Sequence, residues 1–148
     1  MDTLPDVTLT AIDGQPLRLK DQPLPLVVYF YPKDDTAGCT REAQDFSAMV
    51  GEFASAGVVV IGVSKDPPAK HEKFVAKYDL AVALASDEDG SACEAFGTWV
   101  EKSMYGRRYM GIERATFLFG RDGQLARAWR KVKVPGHAAE VLAAARAL

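Results

Sequence analysis

Residues 29–46 read YFYPKDDTAGCTREAQDF, and the fold turns on how this stretch is parsed. Its first residues finish the run LPLVVYFY (24–31), whose β-branched and aromatic side chains suit a strand buried on both faces. Pro32 ends that run, because proline has no N–H to give a sheet ladder. From Cys39 onward, Ala43, Phe46, Val50 and Phe53 recur at helical spacing, and Gly57 is placed to close the helix. A buried strand, a charged turn and a helix with a lone cysteine in its first turn therefore follow one another.

The same alternation continues outward. VVVIGVS (58–64) predicts a second buried strand, and Asp66-Pro67-Pro68 starts a helix with Phe74, Val75 and Tyr78 on its apolar face. AVALAS (81–86) predicts a third strand, and a short helix over Glu88–Phe96 ends at Gly97. Hairpins are predicted at both ends of this core. VTLTAIDGQPLRL turns at Asp13-Gly14, and RATFLFG and QLARAWR flank Arg121-Asp122-Gly123. TWVEKSMYGRRYMGIE (98–113) shows no clear period and is expected to be a long ordered loop. HAAEVLAAARAL predicts a terminal helix. The order ββ-β-α-β-α-β-α-ββ-α predicts an α/β fold: a central mixed sheet with helices on both faces and an N-terminal β-hairpin. With no repeat or linker, residues 1–148 are expected to form a single domain.

Composition narrows the function. Apolar residues make up 48% and charged residues 26%, the balance of a globular chain with a real core. A net charge of −2 supplies no basic field, so neither nucleic acid nor an anionic membrane is an expected partner. The N-terminus has no basic segment leading into an apolar stretch, so a cytoplasmic location is expected. Two cysteines without a CxxC, and two separated histidines, point to neither a disulfide framework nor a zinc site; no cofactor is expected.

Cys39 is the candidate nucleophile. A free thiol titrates near ~8.5, and a helix N-terminus or a nearby cation can lower this to roughly 3.5–7.5. Thr36 is placed to cap the turn or to donate its hydroxyl to a bound oxygen. Gly38 would let a ligand approach the backbone, and Pro32 brings a rigid apolar ring. Against this stands the ordinary fate of a lone cysteine, a small buried hydrophobe. His71, in a polar helix segment, is expected to be solvated, and His137 stands near the start of the last helix. Trp99 and Tyr105 line the mouth of the site or pack over the core.

PKDDTAGC resembles the peroxiredoxin signature Pro-x-x-x-Thr/Ser-x-x-Cys, at Pro32, Thr36 and Cys39. The longer YFYPKDDTAGCTREAQDF, with SDEDGSACEAFGTWVEKSMYG and GIERATFLFGRDG, resembles the bacterioferritin comigratory (peroxiredoxin Q) branch. The resemblance implies a thioredoxin-like fold, a peroxidatic Cys39, and Arg114 as the arginine that completes the site. Glu42, one turn after Cys39, would orient Arg114 through an ion pair. Thr36, the Cys39 N–H and Arg114 would then surround the peroxide oxygens with fixed donors.

The sequence departs from the branch in one respect. Many members carry a resolving cysteine five residues after the first, where this chain has Gln44. Others carry it in the next helix near Val75, where this chain has none. Cys93 fits a buried helix cysteine. The implied activity is a one-cysteine thiol peroxidase, a monomer reduced by a low-molecular-weight thiol or a thioredoxin-like protein. The alternative is a peroxide-sensing thiol switch on the same fold.

Overall fold

The computed structural model describes residues 1–148. Seven strands form one mixed sheet: β1 (Thr8–Ala11), β2 (Pro16–Arg18), β3 (Leu26–Phe30), β4 (Val59–Ser64), β5 (Ala83–Ser86), β8 (Ala115–Phe119) and β9 (Leu125–Trp129). Their order across the sheet is β2-β1-β5-β4-β3-β8-β9. The centre, β3, β4 and β5, is parallel, and the hairpins add antiparallel strands at each side. The central strands are the apolar runs of the sequence because both of their faces are covered. All five residues of β3 and all five of β8 are buried.

Alternation along β3 sorts the core into two layers. Val27, Tyr29 and Tyr31 face α1 (Ala37–Ser55), α2 (Pro68–Tyr78) and α4 (His137–Arg146), meeting Phe46, Phe53, Phe74 and Val141. Leu26, Val28 and Phe30 face the other way, toward α3 (Ser91–Ala95), with Ala92, Cys93 and Phe96. Cys39 belongs to the first layer and Cys93 to the second, so the sheet lies between the two sulfurs. Gly62, on β4, has to be a glycine: a Cβ there would lie 2.5 Å from the Tyr29 ring.

Residues 98–113 correct the expected loop. They form a second, two-stranded sheet, β6 (Trp99–Met104) and β7 (Arg107–Ile112), paired from Trp99–Ile112 to Met104–Arg107. The turn holds Tyr105 and Gly106 at φ of 52° and 77°. Positive φ at both central residues is the geometry that matches strand twist in a two-residue hairpin. Tyr105 is at the exposed tip of this ribbon, with 97% of its surface free.

Candidate active site

The site forms where β3 ends and β8 begins, since these neighbours run antiparallel and pair Phe30 with Ala115. The chain leaves β3 through Tyr31 and Pro32 and enters α1 at Ala37, while Arg114 immediately precedes β8. Residues 75 positions apart in sequence thus share one end of the sheet.

Cys39 sits in the first turn of α1 with 2% of its surface exposed. The first backbone bond of that helix runs from the Thr40 N–H to the Thr36 carbonyl at 2.8 Å. The preceding N–H groups, including that of Cys39, point out of the helix end without an intrahelical acceptor. The Arg114 guanidinium completes the arrangement. Its Nη2 donates to the Cys39 Sγ at 3.3 Å and its Nη1 donates to Glu42 Oε1 at 2.7 Å.

Gly38 explains how the arginine comes so close. A Cβ at position 38 would meet Arg114 Nη2 at 3.2 Å, so the missing side chain makes room for the guanidinium. Glu42 is 1% exposed, and its Oε2 has no hydrogen-bond partner. Burial pushes its carboxyl up to about 7, with the Arg114 charge pulling the other way. Breaking such a pair on one side leaves an uncompensated buried charge, a loss of about 3–5 kcal/mol.

Thr36 occupies the N-cap position with extended backbone, but its side chain makes no cap bond. The hydroxyl instead donates to the Lys33 carbonyl at 2.8 Å, which corrects the expected cap. With its hydrogen donated there, the exposed Oγ1 keeps lone pairs free to accept. Thr36 and Pro32 are both exposed beside the buried sulfur.

The turn between Pro32 and Thr36 is tied down by residues that sequence reasoning missed. His71 is fully buried, not solvated, because it stands three residues before Phe74 on the inward face of α2. Its Nε2 lies 3.1 Å from the Ala85 carbonyl, an acceptor, and so carries a hydrogen. Its Nδ1 meets Asp34 Oδ2 at 2.6 Å, and the Tyr31 hydroxyl donates to Asp34 Oδ1 at 2.6 Å. The Asp34 N–H donates to Asp66 Oδ2, which also accepts from the Ser64 hydroxyl. Lys77 adds a second tie, donating to Asp35 at 2.7 Å. Asp34, Asp66 and His71 bring potential metal-ligand atoms within 4.8 Å of one another, but these atoms already bond to each other and to the backbone.

Cys93 lies on the far side of the sheet, in α3. Burial, then the nearby Asp87 carboxylate, pushes its thiol up to about 12. His137 is buried against Thr116, whose Oγ1 is 2.7 Å from its Nε2, and burial pushes its ring down to about 4. Neither histidine touches Cys39.

Fold and sulfur site together describe a buried helix-start thiol with a guanidinium at its sulfur, and comparison with known proteins gives the chain a family. The AhpC/TSA family profile matches residues 1–128. Peroxiredoxin Bcp of Xanthomonas campestris is 53% identical over 122 residues, covering 82% of this chain and 76% of the relative. Peroxiredoxin Bcp of Bacillus subtilis is 46% identical over 139 residues, 93% of this chain and 88% of its own. A structure of the Xanthomonas campestris bacterioferritin comigratory protein, solved for insight into its alkyl peroxide reduction activity, superposes with a TM-score of 0.89 at 47% identity. It covers 95% of this chain and 90% of that one. A mutant of Xylella fastidiosa PrxQ superposes with a TM-score of 0.92 at 40% identity, covering 99% and 94%. The chain belongs to the AhpC/TSA family, in the bacterioferritin comigratory (peroxiredoxin Q) branch, and is a thiol-dependent peroxidase with a thioredoxin-like fold.

Proposed function

We propose that the chain reduces hydrogen peroxide and organic hydroperoxides in a one-cysteine cycle centred on Cys39, within a single domain spanning residues 1–148. The observation that carries this reading is the fork of Arg114, 3.3 Å from the Cys39 sulfur with its other arm held by Glu42. A guanidinium keeps its charge and presents several donors in fixed directions, so it can hold both the thiolate and the peroxide oxygen that leaves as the O–O bond breaks.

In the proposed step the Cys39 thiolate attacks the terminal peroxide oxygen. The O–O bond breaks, the S–O bond forms, and the alkoxide or hydroxide leaves and takes a proton. The products are a Cys39 sulfenic acid and an alcohol or water. Thr36 Oγ1, its hydrogen spent on Lys33, accepts from the hydroperoxide O–H and orients it. The Cys39 N–H and Arg114 face the oxygen that gains charge. Pro32 screens the turn without adding a competing donor.

Gln44 and Val75 supply no thiol, and Cys93 is separated from Cys39 by the sheet, so an external thiol removes the sulfenic acid. The same reading has the enzyme act as a cytoplasmic monomer; no helix is long and apolar enough to cross a membrane.

One equivalent of peroxide followed by intact mass under non-reducing conditions tests the cycle. A gain of one oxygen is expected. A loss of two hydrogens would join Cys39 to Cys93 and overturn it. Repeated consumption of peroxide in the presence of excess thiol is expected too; a halt after one equivalent would favour the thiol switch.

A further inference from the structure

Pro32 is also one wall of a groove of about 440 Å³ that runs onto the β6–β7 ribbon. Trp99 and Ile112 give it an apolar floor, and Lys33, Lys65 and Lys102 surround it. None of these three ammonium groups is in an ion pair. Lys65 Nζ stands 4.2 Å over the centroid of the Trp99 ring, and the Lys102 stem lies along Gly111. Pro32 and Lys33 tie the groove to the turn that leads into the Cys39 helix, and burial is the largest cause lowering the Lys102 pKa, while the Cys39 and Glu113 charges raise it.

Three unpaired cations around an aromatic floor hold an anion. The volume suits a molecule of about tripeptide size rather than a protein surface. A hydroperoxide reacts as a neutral molecule through its O–H end and gains little from cations. A thiol must ionise before it attacks, and neighbouring ammonium groups favour the thiolate.

We propose that this groove binds the reductant, a low-molecular-weight thiol carrying two carboxylates, between Lys33, Lys65 and Lys102. The inference rests on the one-cysteine cycle above and names its second substrate. The bound thiolate attacks the sulfur of the Cys39 sulfenic acid. An S–S bond forms, the S–O bond breaks, and hydroxide leaves and is protonated to water. A second molecule of the thiol then attacks the outer sulfur of the mixed disulfide. Cys39 departs as thiolate, and the small disulfide carries away the two electrons that reduced the peroxide.

The test compares glutathione with its diethyl ester, which has the same thiol and length but no carboxylates. Cys39 is first oxidised with one equivalent of hydrogen peroxide, and the rate of mixed-disulfide formation is then read for each thiol at equal thiolate concentration. Glutathione is expected to react about tenfold faster, an advantage that shrinks with added salt as screened charges require. The triple variant K33Q/K65Q/K102Q is expected to bring the ratio near unity. Reading a ratio within each variant cancels any change in Cys39 itself.

Equal rates for the two thiols, or a ratio indifferent to salt and to the lysines, would overturn the assignment. So would a lysine effect confined to the oxidation of Cys39 by a carboxylated hydroperoxide. Failure of Cys39 to form a sulfenic acid at all would instead break the one-cysteine cycle. The groove is then read separately by binding of S-methylglutathione through Trp99 fluorescence, where a saturable change is expected and its absence counts against the site.

Discussion

Cys39 and Cys93 occupy the same position in two helices. Each is the third residue of its helix, in AGC at the start of α1 and SAC at the start of α3, and each is nearly or fully buried. At α3 the helix-end donors are already consumed: Asp87 Oδ1 accepts the Ala92 N–H at 3.0 Å and Asp87 Oδ2 accepts the Cys93 N–H at 2.8 Å. At α1 no side chain caps the turn, and the group that reaches the sulfur is a guanidinium. A helix start therefore does not make a thiol reactive by itself. Tertiary structure brings different charges to the two turns: a carboxylate beside a thiol that burial already raises at Cys93, and a guanidinium at Cys39.

Five substitutions sharpen or break this contrast, from the largest effect to the smallest. Cys39→Ser is expected to reduce coupled peroxide consumption to background, whereas Cys93→Ser keeps most of it; loss in both would erase the distinction. Arg114→Gln is expected to cost about 10²–10³ in the oxidation rate, the scale of losing a fixed donor to a developing charge. Because it also leaves Glu42 buried without its partner, thermal unfolding of the same variant separates lost chemistry from lost stability.

Glu42→Gln acts through pH. The folded chain holds the Glu42 proton up to about 7, whereas an ordinary glutamate releases it near 4.5. The folded state thus binds more protons in this window, and the Glu42 contribution to stability falls as pH rises across it. The stability of Glu42→Gln relative to the parent is therefore expected to climb from pH 4.5 to about 7 and then level off, as read by denaturant unfolding at several pH values. His137 contributes with the opposite sign, its depressed pKa giving stability that is lost as pH falls from 6.5 to about 4, and it cancels in the difference. A flat difference would mean that Glu42 is ionised throughout.

Asp87→Asn has the smallest expected effect. It removes a charged acceptor from the α3 turn, a loss of about 1–2 kcal/mol in unfolding. Cys93 is nonetheless expected to resist alkylation at pH 8 in the native protein, because burial is the largest cause of its raised pKa. Rapid labelling of Cys93 in this variant would show that Asp87, not burial, keeps it inert.

The sheet and its helices were legible because their apolar residues keep a period. The two-strand ribbon was not, since its residues from Glu101 to Met110 are almost all exposed and no buried face imposes alternation. Its turn carries tyrosine at the first positive-φ position, where asparagine, aspartate or glycine announces such hairpins, and only the second is glycine. Cys39, Thr36 and Pro32 share a short motif, but the approach of Arg114 to Cys39 depends on the pairing of β3 with β8, and no local pattern carries that. His71 was misread through its charged neighbours Lys70, Glu72 and Lys73, although its spacing from Phe74 and Tyr78 already put it on the inward face of α2.

The Asp34–His71–Tyr31 tie has a consequence for motion. A segment joined to a neighbouring helix by fully buried bonds cannot peel away alone; opening it requires α2 to separate from the sheet as well. Native-state hydrogen exchange should therefore report the Asp34 amide among the slow, cooperatively released protons of the interior, although it belongs to a surface turn.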